Sequence, residues 1–407
     1  MKTTMIIPSY WGRKKVEGWK EIDAVYDHPT PLDEEGTLAR ILSSLSILRQ
    51  QDFNLVVIGV ATAPDIQEEV EAKISSIIKE VRSNVPIFFF SHSHLAKVHQ
   101  YLKKKNQKRF IPMLKLRGYS NVRNLCLFLA HLFGSEAAVL IDDDEIFEDP
   151  LFMDKALQHV GRFWQKERVL AVAGYYINPD DNFLLKKKIS PWMTYWNTVE
   201  TMNRAFQKII VEGPRLKITP FAFGGNMVIH RHLYTLIPFD PFITRGEDID
   251  FLINARLFGY KIYLDNKLAI KHAAPPKSQP LWRQLREDVF RFIYEKSKLE
   301  AQQPSLGLQK VRPEDLDPYP GEFLKEDLNE KIYRSHLMLA VDYLSQGDKQ
   351  GAIECMKNIY LAETKAKPRV NPLDHLIKLQ KNWQELMAFF ASEKEGANVC
   401  KLLGYLK

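Results

Sequence analysis

The chain has 407 residues, 45% of them hydrophobic, 26% charged and 11% aromatic, and a formal net charge of +7. This allows a large buried core in two domains and excludes a disordered or low-complexity chain. Three distant cysteines, Cys126, Cys355 and Cys400, give neither a disulfide framework nor a cysteine zinc site.

The opening MKTTMIIPSYWGRKK has too short an apolar stretch for a signal peptide. No run of about 18 apolar residues predicts a membrane span. A reducing, cytoplasmic setting is expected. Basic residues gather at Lys103–Arg109 and at Lys186, Lys187 and Lys188. Solvated loops and phosphate attraction both fit these runs.

In chain order, TTMIIPS predicts a first strand ending at Pro8 and Ser9. GTLARILSSLSILRQ carries Leu38, Ile41, Leu42, Leu45 and Leu48 at helical spacing. FNLVVIGVA reads as a strand covered on both faces. Ile66 to Val81 predicts a helix and VPIFFFS a strand. SNVRNLCLFLAHLF predicts a helix capped near Ser120, and AAVLIDDDE the next strand. This alternation predicts a mainly parallel sheet with helices on both faces, a Rossmann-like α/β fold.

LAVAGYYI is a further strand. The stretch from Asp180 to Thr219 is polar, basic and aromatic. FAFGGNMVIH predicts a strand with a Gly-Gly break. RGEDIDFLINARLFGY predicts a helix with acids in its first turn and Gly259 as its stop, and KIYLD and LAIKH read as two short strands. From Pro275-Pro276 onward the chain predicts helices, with a linker between about Pro304 and Gly321. One stretch, AVDYLSQGDKQGAIECM, is similar to a tetratricopeptide-type helix pair. A single unit points to packing or oligomerisation. The expected division is a domain over residues 1–275, in halves 1–150 and 151–275, and an all-helical region over 276–407.

The acids of VLIDDDEIFED stand where a buried strand ends, the usual place for ligands on such sheets. Asp142 and Asp144 alternate in an extended chain and can face one side. Carboxylates there suit Mg2+ or Mn2+, and a solvated acidic turn is the plain alternative. Downstream, Gly224 and Gly225 permit close backbone approach. Glu247 and Asp248 open a helix, whose dipole favours the ionised form that a general base needs. His272 ends a strand and offers an imidazole ligand. Each feature has a structural alternative: a bulge, a cap, a core histidine.

The succession PSY, GYSNVRN, IDDDE with its D-x-D, FGGNMVIHR, RGEDIDFL and IKH resembles the glycosyltransferase-A fold, in particular the family 2-like nucleotide-sugar glycosyltransferases. RGEDIDFLINARLFGYKIYL with IKH is also similar to the matching stretch of the β-1,4-galactosyltransferases. The resemblance covers about Met1 to Ala274. It implies that Pro8, Ser9 and Tyr10 line the nucleotide pocket, that Arg123 reaches the diphosphate with Asn124 beside it, and that Asp142 meets the ribose or donor sugar. It implies Asp144 and His272 as metal ligands and gives Asp143 a lesser role. Gly225 and Asn226 would lie along the donor sugar. Asp248 would be the catalytic base, with Glu247 holding acceptor or sugar. Many such enzymes carry an acid for the base just after the second strand, and here only Asp65 is near.

The activity implied is transfer of a sugar from a UDP- or GDP-sugar to an acceptor hydroxyl, with Mg2+ or Mn2+ as cofactor and inversion expected. Trp192, Tyr195 and Trp196 are candidate acceptor residues or core. The neighbouring lysines suit a small anionic solute, and a glycan fits the aromatic rings. A sugar-phosphate nucleotidyltransferase would need a Gly-rich basic loop after the first strand, of which PSYWGRKK is a poor version. A haloacid-dehalogenase-type phosphatase would need D-x-D-x-T where the chain has DDDEIF. The reading from another class is a non-catalytic carbohydrate- or metal-binding scaffold. No nucleic-acid partner is expected, and the helical tail makes a homo-oligomer an open expectation.

Overall fold

The computed structural model describes residues 1–186, 190–277, 279–303 and 307–405. The expected cations Lys187 and Lys188 lie outside them. The main strands are β1 (Thr3–Gly12), β2 (Asn54–Ala61), β3 (Ile87–Phe90), β4 (Ala137–Ile141), β5 (Ala171–Ile177), β6 (Leu216–Ile218), β7 (Asn226–His230) and β8 (Tyr263–His272). They form one sheet in the order β6-β8-β5-β7-β4-β1-β2-β3. Only β6 and β7 run against the rest. Two-residue strands at Thr30–Pro31 and Glu145–Ile146 attach to β1 and β8. The sheet is mainly parallel because long crossovers, most of them helical, return the chain to the same edge.

Those helices are α1 (Leu38–Ser44), α2 (Gln67–Glu80), α3 (His92–Lys104), α4 (Tyr119–Leu132), α5 (Phe152–Leu157), α6 (Thr198–Phe206), α7 (Arg231–Tyr234) and α8 (Glu247–Leu257). The C-terminal helices are α9 (Leu281–Glu300), α10 (Leu328–Ser345), α11 (Lys349–Glu363), α12 (Pro372–Ala391) and α13 (Glu393–Leu403). No helix among the described residues is long and apolar enough to cross a membrane.

Four details differ from the sequence expectations. β1 runs on past Ser9, because Tyr10 and Trp11 still pair with Val60 and Ala61. β4 leaves β1 after Ile6, so one flank is open at Pro8 and its missing N–H is tolerated. α4 begins at Tyr119, and the capping position is Gly118 at φ 83. Ser120 sits inside the first turn and its hydroxyl donates to the Ile243 carbonyl at 2.6 Å. The two short strands expected near the end of the sheet are one strand, β8, with an irregularity between Leu264 and Ala269. Lys103 and Lys104 close α3, whose buried stripe is Leu95, Val98 and Leu102.

The C-terminal helices pack on the same hydrophobic cluster as the sheet, which takes in Leu140, Phe128, Val289 and Trp383. On α12, Trp383 Nε1 donates to the Tyr234 carbonyl at 2.8 Å, and the Met387 carbonyl lies 2.8 Å from His131 Nε2 on α4. On α9, Lys298 Nζ is fully buried and lies 2.6 Å from Asp250 Oδ1, 2.9 Å from Asn254 Oδ1 and 3.4 Å from Asp240 Oδ2. Tyr294 also donates to Asp240, at 2.9 Å. Burial works against the Lys298 ammonium, but the two carboxylates outweigh it and hold the charge. This network ties α9 to α8, the helix that opens with Glu247 and Asp248.

Removing one partner from a buried ion network leaves an uncompensated charge. Lys298→Met is expected to lower the unfolding free energy by about 3–5 kcal/mol, read from urea denaturation. A second expectation concerns acid. Burial pushes His131 and His336 down to about 4, despite the carbonyls each meets. Both are neutral when folded, whereas the unfolded imidazole takes a proton below about 6.5. Their contribution is therefore complete above pH 6.5 and is lost as the pH falls toward 4, on the order of 3 kcal/mol each. Buried carboxylates with raised pKa, Glu247 and Glu295 among them, act in the opposite sense over the same window, so the expectation is the difference: the urea midpoint should lose less, or gain more, on acidification in the His131→Gln, His336→Gln double variant than in the parent chain.

Candidate functional site

At the carboxyl ends of the parallel strands lies a cleft of about 770 Å³. β4 delivers Asp142, Asp143 and Asp144 to it, α4 delivers Arg123, and α8 delivers Glu247 and Asp248. His272 arrives at the end of β8, and the loop after β1 brings Asp27 and His28.

The three aspartates turn to different partners. Asp142 Oδ1 lies 2.8 Å from Arg123 Nη2. Asp143 Oδ2 accepts from Ser9 Oγ at 2.6 Å, and that hydroxyl accepts from Trp11 Nε1 at 2.8 Å. Asp144 Oδ2 lies 3.3 Å from His272 Nε2. One ligand atom each from His28, Asp144 and His272 falls within 4.8 Å of the others. His28 Nδ1 lies 2.5 Å from the Pro275 carbonyl. A ring nitrogen that bonds a carbonyl must donate, so Nε2 keeps the lone pair that a cation needs.

The electrostatics divide along the cleft. Burial pushes Asp142 up, against the pull of Arg123. Burial, then Asp144, push Asp143 well up. Burial also works to raise Asp144, but His272 and His28 outweigh it and the carboxyl falls below its usual range. Burial works to lower His272, and Asp144 outweighs it in turn. An imidazolium on this carboxylate occupies the place a divalent cation would take, so proton and cation compete there.

The second acidic pair is bound differently. Glu247 Oε1 accepts from Arg123 Nε at 3.1 Å, so one buried guanidinium spans Asp142 and Glu247. Asp248 accepts from the backbone N–H of Ile249 at 2.8 Å and of Gly224 at 3.0 Å. The helix-start amides alone would favour its ionised form, as expected from sequence. Burial outweighs them and Asp248 is raised. Burial and the neighbouring Asp248 also raise Glu247.

Three glycines have no room for a side chain. A Cβ on Gly225 would lie 2.6 Å from Glu145 Oε1 and closer still to Asp142 Oδ2. One on Gly224 would lie 2.9 Å from Arg123 Nη2. Gly246 has φ 75, and a Cβ there would run into the Arg291 guanidinium. The close approach expected at the Gly-Gly pair is thus to the acidic cluster itself.

Of the residues singled out in the sequence, Tyr10, Arg123, Asp142, Asp143, Asp144, Lys186, Trp192, Gly224, Glu247, Asp248 and His272 line the cleft. The others stand behind it. Pro8 and Ser9 are buried in β1. Asn124 grips the Phe239 backbone, donating at 2.9 Å and accepting at 2.8 Å. Asn226 is fully buried and donates to the Tyr175 and Leu268 carbonyls, and the Gly225 N–H donates to Tyr176 Oη at 2.9 Å. Trp196 is 1% exposed and packs on Phe292 and Phe323. Tyr195 lies over Arg334 and faces a separate small hollow. Asp65 is held by both terminal nitrogens of Arg13, at 2.7 and 2.8 Å.

Sequence reasoning missed His28, Tyr176 and Arg291. Tyr176 stacks on His272 at 4.8 Å. Arg291, on α9, donates to Tyr319 at 2.8 Å. The only sequence signal for His28 is an acid–imidazole pair, Asp27-His28, in a loop that follows a strand end.

Gly225→Ala is the sharpest local test. The methyl group must displace Asp142, which Arg123 holds, or Glu145, which is fully buried. It is expected to lower stability by roughly 1–3 kcal/mol, the range for overpacking, in urea denaturation, and to abolish any ligand-induced thermal shift.

No family model and no curated protein matches the chain. Its fold is similar to those of several solved structures. One is a mannosyltransferase of Pyrobaculum calidifontis in complex with GDP-Man and Mn2+, 14% identical, covering 97% of this chain and 88% of that one at a TM-score of 0.45. A second is GalNAc-T7 with UDP, GalNAc and Mn2+, 13% identical, covering 81% and 57% at 0.40. A third is the glucosyl-3-phosphoglycerate synthase of Mycobacterium tuberculosis with Mn2+ and UDP-glucose, 14% identical, covering 72% and 77% at 0.37.

Proposed function

We propose that the cleft transfers a sugar from a nucleoside diphosphate to an acceptor hydroxyl. The observation that carries this reading is the placing of two acidic groups on either side of Arg123. One is Asp142, bound to Arg123 and two residues before Asp144, whose carboxylate groups with the imidazoles of His28 and His272. The other, Glu247 and Asp248, faces the same cleft.

The group of Asp144, His28 and His272 fits a divalent cation. It pairs a carboxylate with two nitrogen donors, one already oriented by a backbone carbonyl. Nitrogen donors favour Mn2+ over Mg2+, which prefers oxygen. Bound there, the cation would offset charge on a departing diphosphate. Tyr10, at the end of β1, supplies a ring for the nucleotide. It packs with Tyr26 and Tyr119 at centroid distances of 4.5 and 5.1 Å. Arg123 orients Asp142 toward the donor and holds Glu247 in place.

Asp248 acts as the base. It is half-buried and open to the cleft, and two backbone amides fix its carboxylate. Its raised pKa brings it closer to a hydroxyl's needs than an exposed aspartate would be. The acceptor oxygen attacks the anomeric carbon opposite the leaving diphosphate, and its proton passes to Asp248. The configuration at that carbon inverts.

With UDP or GDP and Mn2+, the melting temperature should rise by mass action, and Asp144→Ala should lose the rise. Asp248→Asn should keep it while turnover falls about 10²–10⁴-fold, the span of general base catalysis. Retention of anomeric configuration, seen by proton NMR of the product, would remove Asp248 from this role.

A further inference from the structure

Beyond Asp248 the wall of the cleft changes character. Phe223 immediately precedes Gly224, which holds the Asp248 carboxylate. Phe206, Phe221 and Phe223 form one aromatic group with centroids 5.1 to 5.6 Å apart. Val199, Met202 and Phe206 stand at i, i+3 and i+7 on α6, so a single apolar face of that helix borders the cleft. The start of α9 contributes Leu281 and Leu285 to the same lining. Val199, Met202, Phe223 and Leu281 are only half-buried, so apolar surface is left open to the cleft.

The cations of the cleft are already engaged. Arg245 binds Asp288 at 2.6 Å and Asp27 at 3.1 Å. Lys277 binds Asp27 at 3.0 Å, and Lys186 pairs with Asp180. Arg291 donates to Tyr319 and lies 4.0 Å from Glu295, and Arg123 spans Asp142 and Glu247. Among the described residues, no lysine or arginine lining the cleft stands without an acidic partner. Among the described residues, an anionic acceptor would compete with a carboxylate for each of these cations. Against the open faces of Val199, Met202, Phe223 and Leu281 the hydroxyls of a free oligosaccharide find no partner, although Thr198, Gln284 and Asp288 also line the cleft.

We infer that the acceptor is an apolar alcohol, a hydroxyl carried on an aliphatic or aromatic body, with that body lying between α6 and the start of α9. The inference rests on the transferase reading for its chemistry. The acceptor oxygen forms the bond to the anomeric carbon of the nucleoside-diphosphate sugar. The bond from that carbon to the diphosphate oxygen breaks, the electron pair leaves on the diphosphate, and the proton goes to Asp248. Burial of the apolar body against α6 and α9 supplies the binding energy, and specificity comes from the half-buried faces of Val199, Met202, Phe223 and Leu281, which favour an apolar body over a polar one.

The test is direct binding of pyrenebutanol, read by fluorescence, to the full chain and to Met202→Glu and Leu281→Glu. Both substitutions sit at half-exposed positions. Cooperative melting and the nucleotide shift with Mn2+ report fold and donor site separately. At least tenfold weaker binding in both variants is expected. Displacement by dodecanol would indicate a lipid-like acceptor, and displacement by 2-naphthol alone an aromatic one. A nucleotide shift without pyrenebutanol binding, binding that neither variant weakens, or displacement by a sugar phosphate or a maltooligosaccharide would overturn the inference and leave the transferase reading standing. Binding that both variants weaken, without any nucleotide shift, would uphold the apolar pocket and remove the transferase.

Discussion

The whole cleft hangs on one buried cation. Arg123 is 2% exposed and sits on α4, between Asp142 from the end of β4 and Glu247 from the start of α8. Six carboxylates, Asp142 to Glu145, Glu247 and Asp248, crowd this end of the sheet. Burial alone would drive them all to protonate. Three things keep some of them charged: the guanidinium, the imidazoles that face Asp144, and the backbone amides that face Asp248. Removing one member of such a buried set typically costs about 3–5 kcal/mol, because the remaining charges have nowhere to go. The glycines at 224 and 225 belong to the same constraint, since they let the backbone pass against Arg123 and Asp142.

The C-terminal helices take part in the cleft. α9 lines it along one face, from Leu281 through Leu285 to Asp288 and Arg291. Arg291 lies against Gly246, where φ 75 turns the chain into α8. The buried Lys298 fastens the next turns of α9 to Asp250 and Asn254 of α8. The position of the proposed base is therefore set from two sides, by the sheet through Gly224 and by the helical region through α9.

The alternation of strands and helices was legible because β-branched runs and amphipathic spacing are local properties of the chain. Asp142, Asp144, Glu247, Asp248 and His272 stood out by their succession along the chain, since each alone has an ordinary structural reading such as a turn, a cap or a core histidine. What was not legible depends on distance in three dimensions. His28 meets Asp144 only because a long loop after β1 folds back over the strand ends. Asn124 and Asn226, grouped with the site by motif, spend their amides on backbone carbonyls behind it. Trp192 and Trp196 could each be acceptor residue or core by sequence, and only their packing separates them: Trp192 lines the cleft, whereas Trp196 is buried on Phe292 and Phe323. The ionisation of Asp248 could not be read either, because a helix start favours charge while burial opposes it, and only the structure says which wins.

Asp144, His28 and His272 are proposed to act as one cation site. Electron spin-echo measurements on Mn2+ bound together with UDP or GDP test it most directly. Nitrogen couplings from two imidazoles are expected, one of them lost in His28→Ala and one in His272→Ala. Mn2+ bound with nucleotide but showing no imidazole coupling would contradict it.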